Sequence, residues 1–218
     1  MNATWDYFRS NQNEIWHWTV TTIWLAALPL VVGLVGALPL GWLASRFRFL
    51  YLPLVTVGGV FYTIPSLVLF ITIPGIIHTN LLNSVNVAIA LFIYTLALMI
   101  RVVADGLSSV PKDTLAAASA MGYTGRQRLF GVQMPIAVPV IGAGLRVAAV
   151  SNVSLVSVAS LIGIAQLGSL FLDGNINVTL PPIILGLVFF IVLALIFDTV
   201  ILLLVRALTP WQRAAAAQ

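Results

Sequence analysis

Arg146 and Asp198 stand alone in long uncharged runs: no Asp, Glu, Lys or Arg falls between Arg128 and Arg146, between Arg146 and Asp173, or between Asp173 and Asp198. A guanidinium and a carboxylate embedded in apolar sequence suit each other, because each offsets the cost of removing the other from water. On helices rising about 1.5 Å per residue, Arg146 lies about 16 Å beyond Pro135 and Asp198 about 12 Å before Arg206, so the two reach a similar depth. Such a pair reads either as a structural clamp or as a gating element.

A second group is polar without charge. Ser151, Ser154 and Ser157 follow i, i+3, i+6 spacing beside Asn152, and one helix face holds all three serines. Small hydroxyl residues serve close helix packing in lipid and serve a water-lined pathway equally well, so both readings stay open. Tyr62, Thr63, Pro65 and Ser66 interrupt another apolar run, where a proline kinks a helix and frees a carbonyl that a solute could meet. Hydrolytic chemistry has no support. The chain has no cysteine, and its two histidines, His17 and His78, are expected in outer, non-spanning stretches with no second His at metal-binding spacing. A Gly-x-x-x-x-Gly-Lys-Ser/Thr phosphate loop is also missing.

These residues sit in a chain that is 61% apolar and 7% charged, with mean hydropathy +1.08. Soluble domains carry about a quarter charged residues, so the composition predicts a membrane protein. About five spans of roughly 20 residues fit, at 19–44, 51–73, 85–103, 136–161 and 182–205. The second and third form an out-and-back pair divided at Pro74-Gly75, and Asp173-Gly174-Asn175-Ile176-Asn177 supplies the turn between the last two. Arg46, Arg48, Arg101, Lys112, Arg126, Arg128, Arg206 and Arg213 all fall on one side, against Arg9 alone on the other. The positive-inside rule then places the N-terminus outside and the C-terminus in the cytoplasm. Trp5, Trp16, Trp18 and Trp24 at one end and Trp42 and Trp211 at the other suit interfacial belts. The net charge of +4 is explained by topology, and no nucleic-acid partner is expected. Asp6, Arg9 and Glu14 precede an apolar run too long for a signal core, so no cleaved leader is expected.

The polar segment 105–135 is predicted to form short helices at the membrane surface. Pro111 suits a first helical position, Asp113 meets the helix dipole in the first turn, and Thr114 to Met121 propagates well. Gly122 and Gly125 then stop the helix, and a second short helix carrying Arg126 and Arg128 ends before Pro135. The outcome is a helix-turn-helix elbow.

The elbow sequence Asp113-Thr-Leu-Ala-Ala-Ala-Ser-Ala-Met-Gly122, continuing to Val132-Gln133-Met134-Pro135, resembles the EAA loop of permease subunits of bacterial ABC importers. Ala116-Ala117-Ala118, Gly122 and Pro135 stand at that family's spacings, with Ala116 in place of its Glu and Met134 in place of its Leu. Tyr62-Thr63-Ile64-Pro65-Ser66-Leu67, Ala143-Gly144-Leu145-Arg146 and Leu208-Thr209-Pro210 are most similar to the permeases for glycine betaine, choline, carnitine and related osmoprotectants. Ile162 to Gly168 departs from the glycine-richer segment usual there. The resemblance runs from about Leu40 to Pro210.

It implies an all-α polytopic membrane protein of the type I importer kind: an extracytoplasmic segment 1–18, a permease domain 19–205 with the coupling loop 105–135, and a cytoplasmic tail 206–218. It further implies ATPase subunits docked on the elbow, a second permease subunit, same or related, and an extracytoplasmic solute-binding protein. No cofactor is implied for this chain, and ATP hydrolysis belongs to the partner. Tyr62, Thr63, Pro65, Ser66, Ser151, Asn152, Ser154 and Ser157 are then the candidate pathway residues. Quaternary ammonium ions favour aromatic faces, but such a cage is expected on the binding protein rather than at Tyr62 or Tyr94. Asp113, one turn before Ala116, either replaces the absent carboxylate by bracing Arg126 or Arg128, or simply caps its helix. A permease for amino acids such as methionine is the alternative reading.

Overall fold

The computed structural model describes residues 2–211. Helix α1 (Asn2–Ser10) precedes the long α2 (Gln12–Arg46). Then come α3 (Arg48–Thr63), α4 (Ser66–Ile77) and α5 (Ser84–Ser108). The elbow contains α6 (Lys112–Ala120) and α7 (Gly125–Arg128). After it come α8 (Met134–Val156), α9 (Ser169–Ile176) and α10 (Leu180–Leu208). Four stretches are long and apolar enough to cross a membrane: α2, α5, the continuous helix through residues 125–162, and α10; α3 and α4 together qualify as a fifth, bent by 101°.

Four expected boundaries move. The second span, expected as 51–73, is two helices, because Pro65 offers no N–H and holds Ile64 in extended backbone at φ −67°, ψ 129°. The reversal expected at Pro74-Gly75 falls later, since α4 continues to Ile77 and ends on left-handed His78. The cluster Asp173 to Asn177 is mostly helical, with Gly174 buried against α10. Its turn falls at Val178, whose φ is +51°. His17 likewise lies inside α2, which starts seven residues before the expected span.

Helix α5 is the hub. It packs against α2, α3 and α8, and over half of its apolar window is buried, against 11% for α10. Pro29, Gly33, Ala37 and Gly41 recur every fourth residue on the buried stripe of α2. Small residues let the backbones approach, and a Cβ at Gly33 would sit 2.6 Å from the Thr95 side chain. Two apolar clusters result. One gathers Leu25, Phe70, Leu91, Tyr94 and Leu170 at the end away from the elbow, and the other Leu30, Met99, Val103, Ala137 and Ile141 toward it. Between them lies a polar node: Asn152 donates to Thr95 Oγ1 at 2.9 Å and to the Ala26 carbonyl at 3.4 Å.

Candidate functional site

The elbow is fixed by local hydrogen bonding. At the end of α6, Gly122 N–H donates to Ser119 O and Tyr123 N–H to Ala118 O, the paired bonds of a Schellman turn. Gly122 holds φ +84° there, with nothing within 4 Å of a Cβ built on it, so backbone rather than space selects glycine. The next helix starts on a capping box. Thr124 N–H donates to Gln127 Oε1 at 2.9 Å, and Gln127 N–H to Thr124 Oγ1 at 3.4 Å. The Thr-x-x-Gln spacing is the signal in the sequence that marks this cap.

Two expectations about the elbow are corrected, the end of its second helix and the place of Pro111, and of the two roles open to Asp113 the brace is not formed among the described residues. Its second helix does not stop before Pro135 but passes through a π-helical stretch, Leu129–Gln133, into α8. Pro135 cannot donate to the carbonyl four residues back, and the wider turn accommodates that loss. Asp113 sits in the first turn of α6 but forms no ion pair with Arg126 or Arg128 among the described residues. Instead Arg128 Nη1 donates to Ser119 Oγ at 2.7 Å, joining the two arms. Pro111 precedes α6 as its cap rather than opening it. Of the three alanines, Ala118 is buried while Ala116 and Ala117 face out. Met121, Tyr123 and Phe130 form an exposed apolar crest. Beneath the elbow, Trp42, Arg46, Lys112, Arg126 and Arg128 line a basic cavity of about 600 Å³, and Met134 packs in the elbow-side core.

The second site is a cleft of about 490 Å³ where the α3–α4 break meets α8, lined by Tyr62, Thr63, Ile64, Pro65, Ser66, Tyr94, Val150, Ser151, Ser154 and Leu155. Tyr94, buried on α5, donates its hydroxyl to the Ile64 carbonyl, which the broken helix leaves without an intrahelical donor. Pro65 O in turn accepts Val68 and Leu69 N–H, so α4 starts at once. The rings of Tyr62 and Tyr94 meet at 5.6 Å with an interplanar angle of 85°. Thr63 spends its hydroxyl on Val60 O.

The candidate pathway set therefore divides. Tyr62, Thr63, Pro65, Ser66, Ser151 and Ser154 converge on the cleft, whereas Asn152 is 2% exposed and consumed by the polar node. Ser157 starts a 3-10 turn, donates to Ser154 O at 2.7 Å and accepts from Gln166 Nε2. Helical periodicity puts the three serines on a common arc, but the Ser157 hydroxyl turns back to Ser154 O while Gln166 of the 163–168 loop takes its carbonyl, and the partners of Asn152 lie on α2 and α5.

Arg146 and Asp198 form an ion pair between α8 and α10. Nε to Oδ1 is 2.7 Å and Nη2 to Oδ2 is 2.8 Å, a fork that ties α8 to α10. Arg101, the other conceivable partner for Asp198, instead lies 3.6 Å from Asp105, whose Oδ1 accepts from Tyr51 at 2.7 Å. At the opposite end Tyr7 donates to Asp173 at 3.4 Å; burial first, and then that carboxylate, push the Tyr7 phenol above its ordinary value.

Among known proteins, the chain is 31% identical to the osmoprotectant import permease protein OsmW of Salmonella typhimurium, over 94% of this chain and 96% of that one. It is 28% identical to the glycine betaine/carnitine/choline transport system permease protein OpuCB of Bacillus subtilis, over 96% and 95%. In fold it is similar to a chain of the inward-facing MetNI methionine ABC transporter, with a TM-score of 0.79 and 20% identity over 92% of this chain and 98% of that one. The family model for the binding-protein-dependent transport system inner membrane component matches residues 37–213. A match of that extent, on a helical bundle bearing this elbow, makes the chain a member of that family and a permease subunit of an ABC importer.

Proposed function

We propose that this permease carries a small osmoprotectant of the glycine betaine, choline or carnitine type, driven by separate ATPase subunits. The observation that carries the reading is the likeness, along nearly the whole chain, to permeases named for those solutes. The chemistry of the cleft is compatible with it. No charged side chain lines it, so a zwitterion or a cation without N–H donors meets hydroxyls and aromatic rings and no fixed charge that would hold it.

The ATPase docks on the elbow, where the Met121, Tyr123 and Phe130 crest stands beside a turn fixed by Gly122; exposed apolar groups of this kind suit a protein partner. Ala116, Ala117, Asp113, Arg126 and Arg128 belong to the same surface, with Ala118 packed inward beneath them. Movement there reaches the cleft through one element. The helix through residues 125–162 carries Arg126 at one end and Ser151 and Ser154 about 40 Å along. Since it is continuous, tilting the elbow shifts the cleft wall, with the Arg146–Asp198 fork keeping α10 in step. The cleft is open along one side, and a second permease subunit closes it; a binding protein supplies solute from outside. Arg46, Arg48, Lys112, Arg126, Arg128 and Arg206 cluster at the elbow end, which supports a cytoplasmic elbow and an external N-terminus. Arg213, counted with them in the sequence, lies outside the described residues, as do residues 212–218 of the tail.

Reconstituting the permease with its ATPase and binding protein, and measuring solute-stimulated ATP hydrolysis and uptake for glycine betaine, choline, carnitine and methionine, tests the reading. Stimulation by a quaternary ammonium solute is expected. Stimulation by methionine alone would replace it with the amino-acid alternative.

A further inference from the structure

The aromatic pair at the helix break has a chemistry that the sequence assigned elsewhere. We infer that Tyr62 is a transient binding platform for the quaternary ammonium group of the solute inside the permease itself, with the hydroxyls of Ser66, Ser151 and Ser154 receiving the other end. The inference rests on the substrate reading above.

The two tyrosines differ in role. Tyr94 is 4% exposed, its ring is packed in the core and its hydroxyl is committed to the Ile64 carbonyl. It is a positioning residue that fixes the break and, through the perpendicular ring contact, steadies Tyr62. Tyr62 is 41% exposed and presents its ring to the cleft. A trimethylammonium group has no N–H to donate, so hydroxyls and carbonyls cannot hold it strongly, while the negative face of an aromatic ring attracts it at no cost in unsatisfied donors. The hydroxyls of Ser66, Ser151 and Ser154 make no hydrogen bond among the described residues, unlike those of Thr63 and Ser157 in the same segments. Three uncommitted donors facing an exposed ring match a solute with a methylated cation at one end and a carboxylate or hydroxyl at the other.

The absence of a charged lining residue fits transit. A carboxylate would hold the cation too firmly to release it, whereas a cation-π contact is worth only a few-fold in affinity at a partly exposed site. Behind the rings the space narrows to a pocket of about 10 Å³ leading to Thr95 and Asn152, so the solute stops at the ring rather than entering the core.

The test uses the assembled transporter in vesicles of phosphatidylethanolamine and phosphatidylglycerol, with saturating binding protein and labelled glycine betaine. Tyr62→Phe and Tyr62→Trp keep a ring and should hold uptake within about twofold, while Tyr62→Leu, without a ring, should lower it roughly threefold to tenfold. If the Leu variant does not assemble with the ATPase, Tyr62→Met carries the same comparison. Equal uptake by ring-free and ring-bearing variants overturns the inference, as does an equal fall in both. A wild-type complex that takes up methionine and no quaternary ammonium solute overturns the substrate reading and the inference with it. Repeating the assay with phosphatidylcholine added separates the source of the cation. Unchanged uptake is expected for a solute site, and competition by the lipid would assign the ring to a choline headgroup instead.

Discussion

In the elbow, the contacts that set the geometry join near neighbours: Gly122 to Ser119, Tyr123 to Ala118, Thr124 to Gln127, and Arg128 to Ser119 nine positions back. In the cleft, Tyr94 reaches Ile64 across 30 positions, and the node behind it joins Thr95 to Asn152 across 57. The elbow is thus a piece of local backbone chemistry, suited to being pushed by a partner. The cleft exists only while α3, α4, α5 and α8 keep their packing, suited to opening and closing when one of them tilts. Local motifs fail through backbone strain at one residue, and tertiary sites fail through the loss of a distant partner.

The largest effect is expected where the elbow leaves no slack. Gly122→Leu forces a Cβ residue into left-handed backbone, at a cost of about 1–2 kcal/mol. It should abolish uptake while membrane insertion, measured by fractionation, stays intact. Gly122→Asn, which tolerates that backbone better, should keep a substantial part of the activity. Equal loss in both variants would break the claim that φ is what matters.

Next comes the fork between α8 and α10. Arg146→Ala or Asp198→Ala leaves an unpaired charge in the bundle, so each should lower the folded, ATPase-binding yield several-fold, and the double variant should recover much of it. Additive losses in that cycle would show that the two side chains do not act as a pair.

A smaller effect tests the latch. Tyr94→Phe keeps the ring and strips one hydrogen bond from the break, a loss of about 1 kcal/mol, read as a melting shift of about 2–4 °C. No shift would mean that Pro65 alone sets the bend. The Tyr7 contact at the opposite end should be worth less. Because the folded state raises that phenol's value, the protonated form is the favoured one. The contact contributes fully below the ordinary tyrosine value of 10.0 and is lost as pH rises through the higher folded value. Tyr7→Phe should accordingly erase any difference in stability between pH 9 and 11 that this group supplies.

The smallest effect is expected at Asp113. With no basic partner in the elbow, Asp113→Asn should leave the ratio of ATP hydrolysed to solute moved unchanged, since Asn also suits a helix start. Uncoupled hydrolysis in that variant would show that the carboxylate meets a cation only in the complex.

Composition and apolar run length determined, from the sequence alone, that this is a helical membrane protein with about five apolar spans, and that 105–135 holds a helix-turn-helix elbow, though not where α2 and the helix through 125–162 begin or that the second span breaks. Lipid demands long uninterrupted helices, and glycine, proline and capping residues act over a few positions, so both signals are local. The capping box at Thr124 is equally local, carried by Thr124 and Gln127 alone. Tertiary structure alone decided which polar residues share a cleft. Ser151 and Asn152 are adjacent, yet one faces the cleft and the other is consumed by Thr95 on α5 and the Ala26 carbonyl on α2. Periodicity gives a helix its faces but not its neighbours, and in a chain apolar on every side no hydrophobic pattern says which face meets which. Close approach at Gly33 and Gly41, and hydrogen bonds that lipid cannot replace, make that choice.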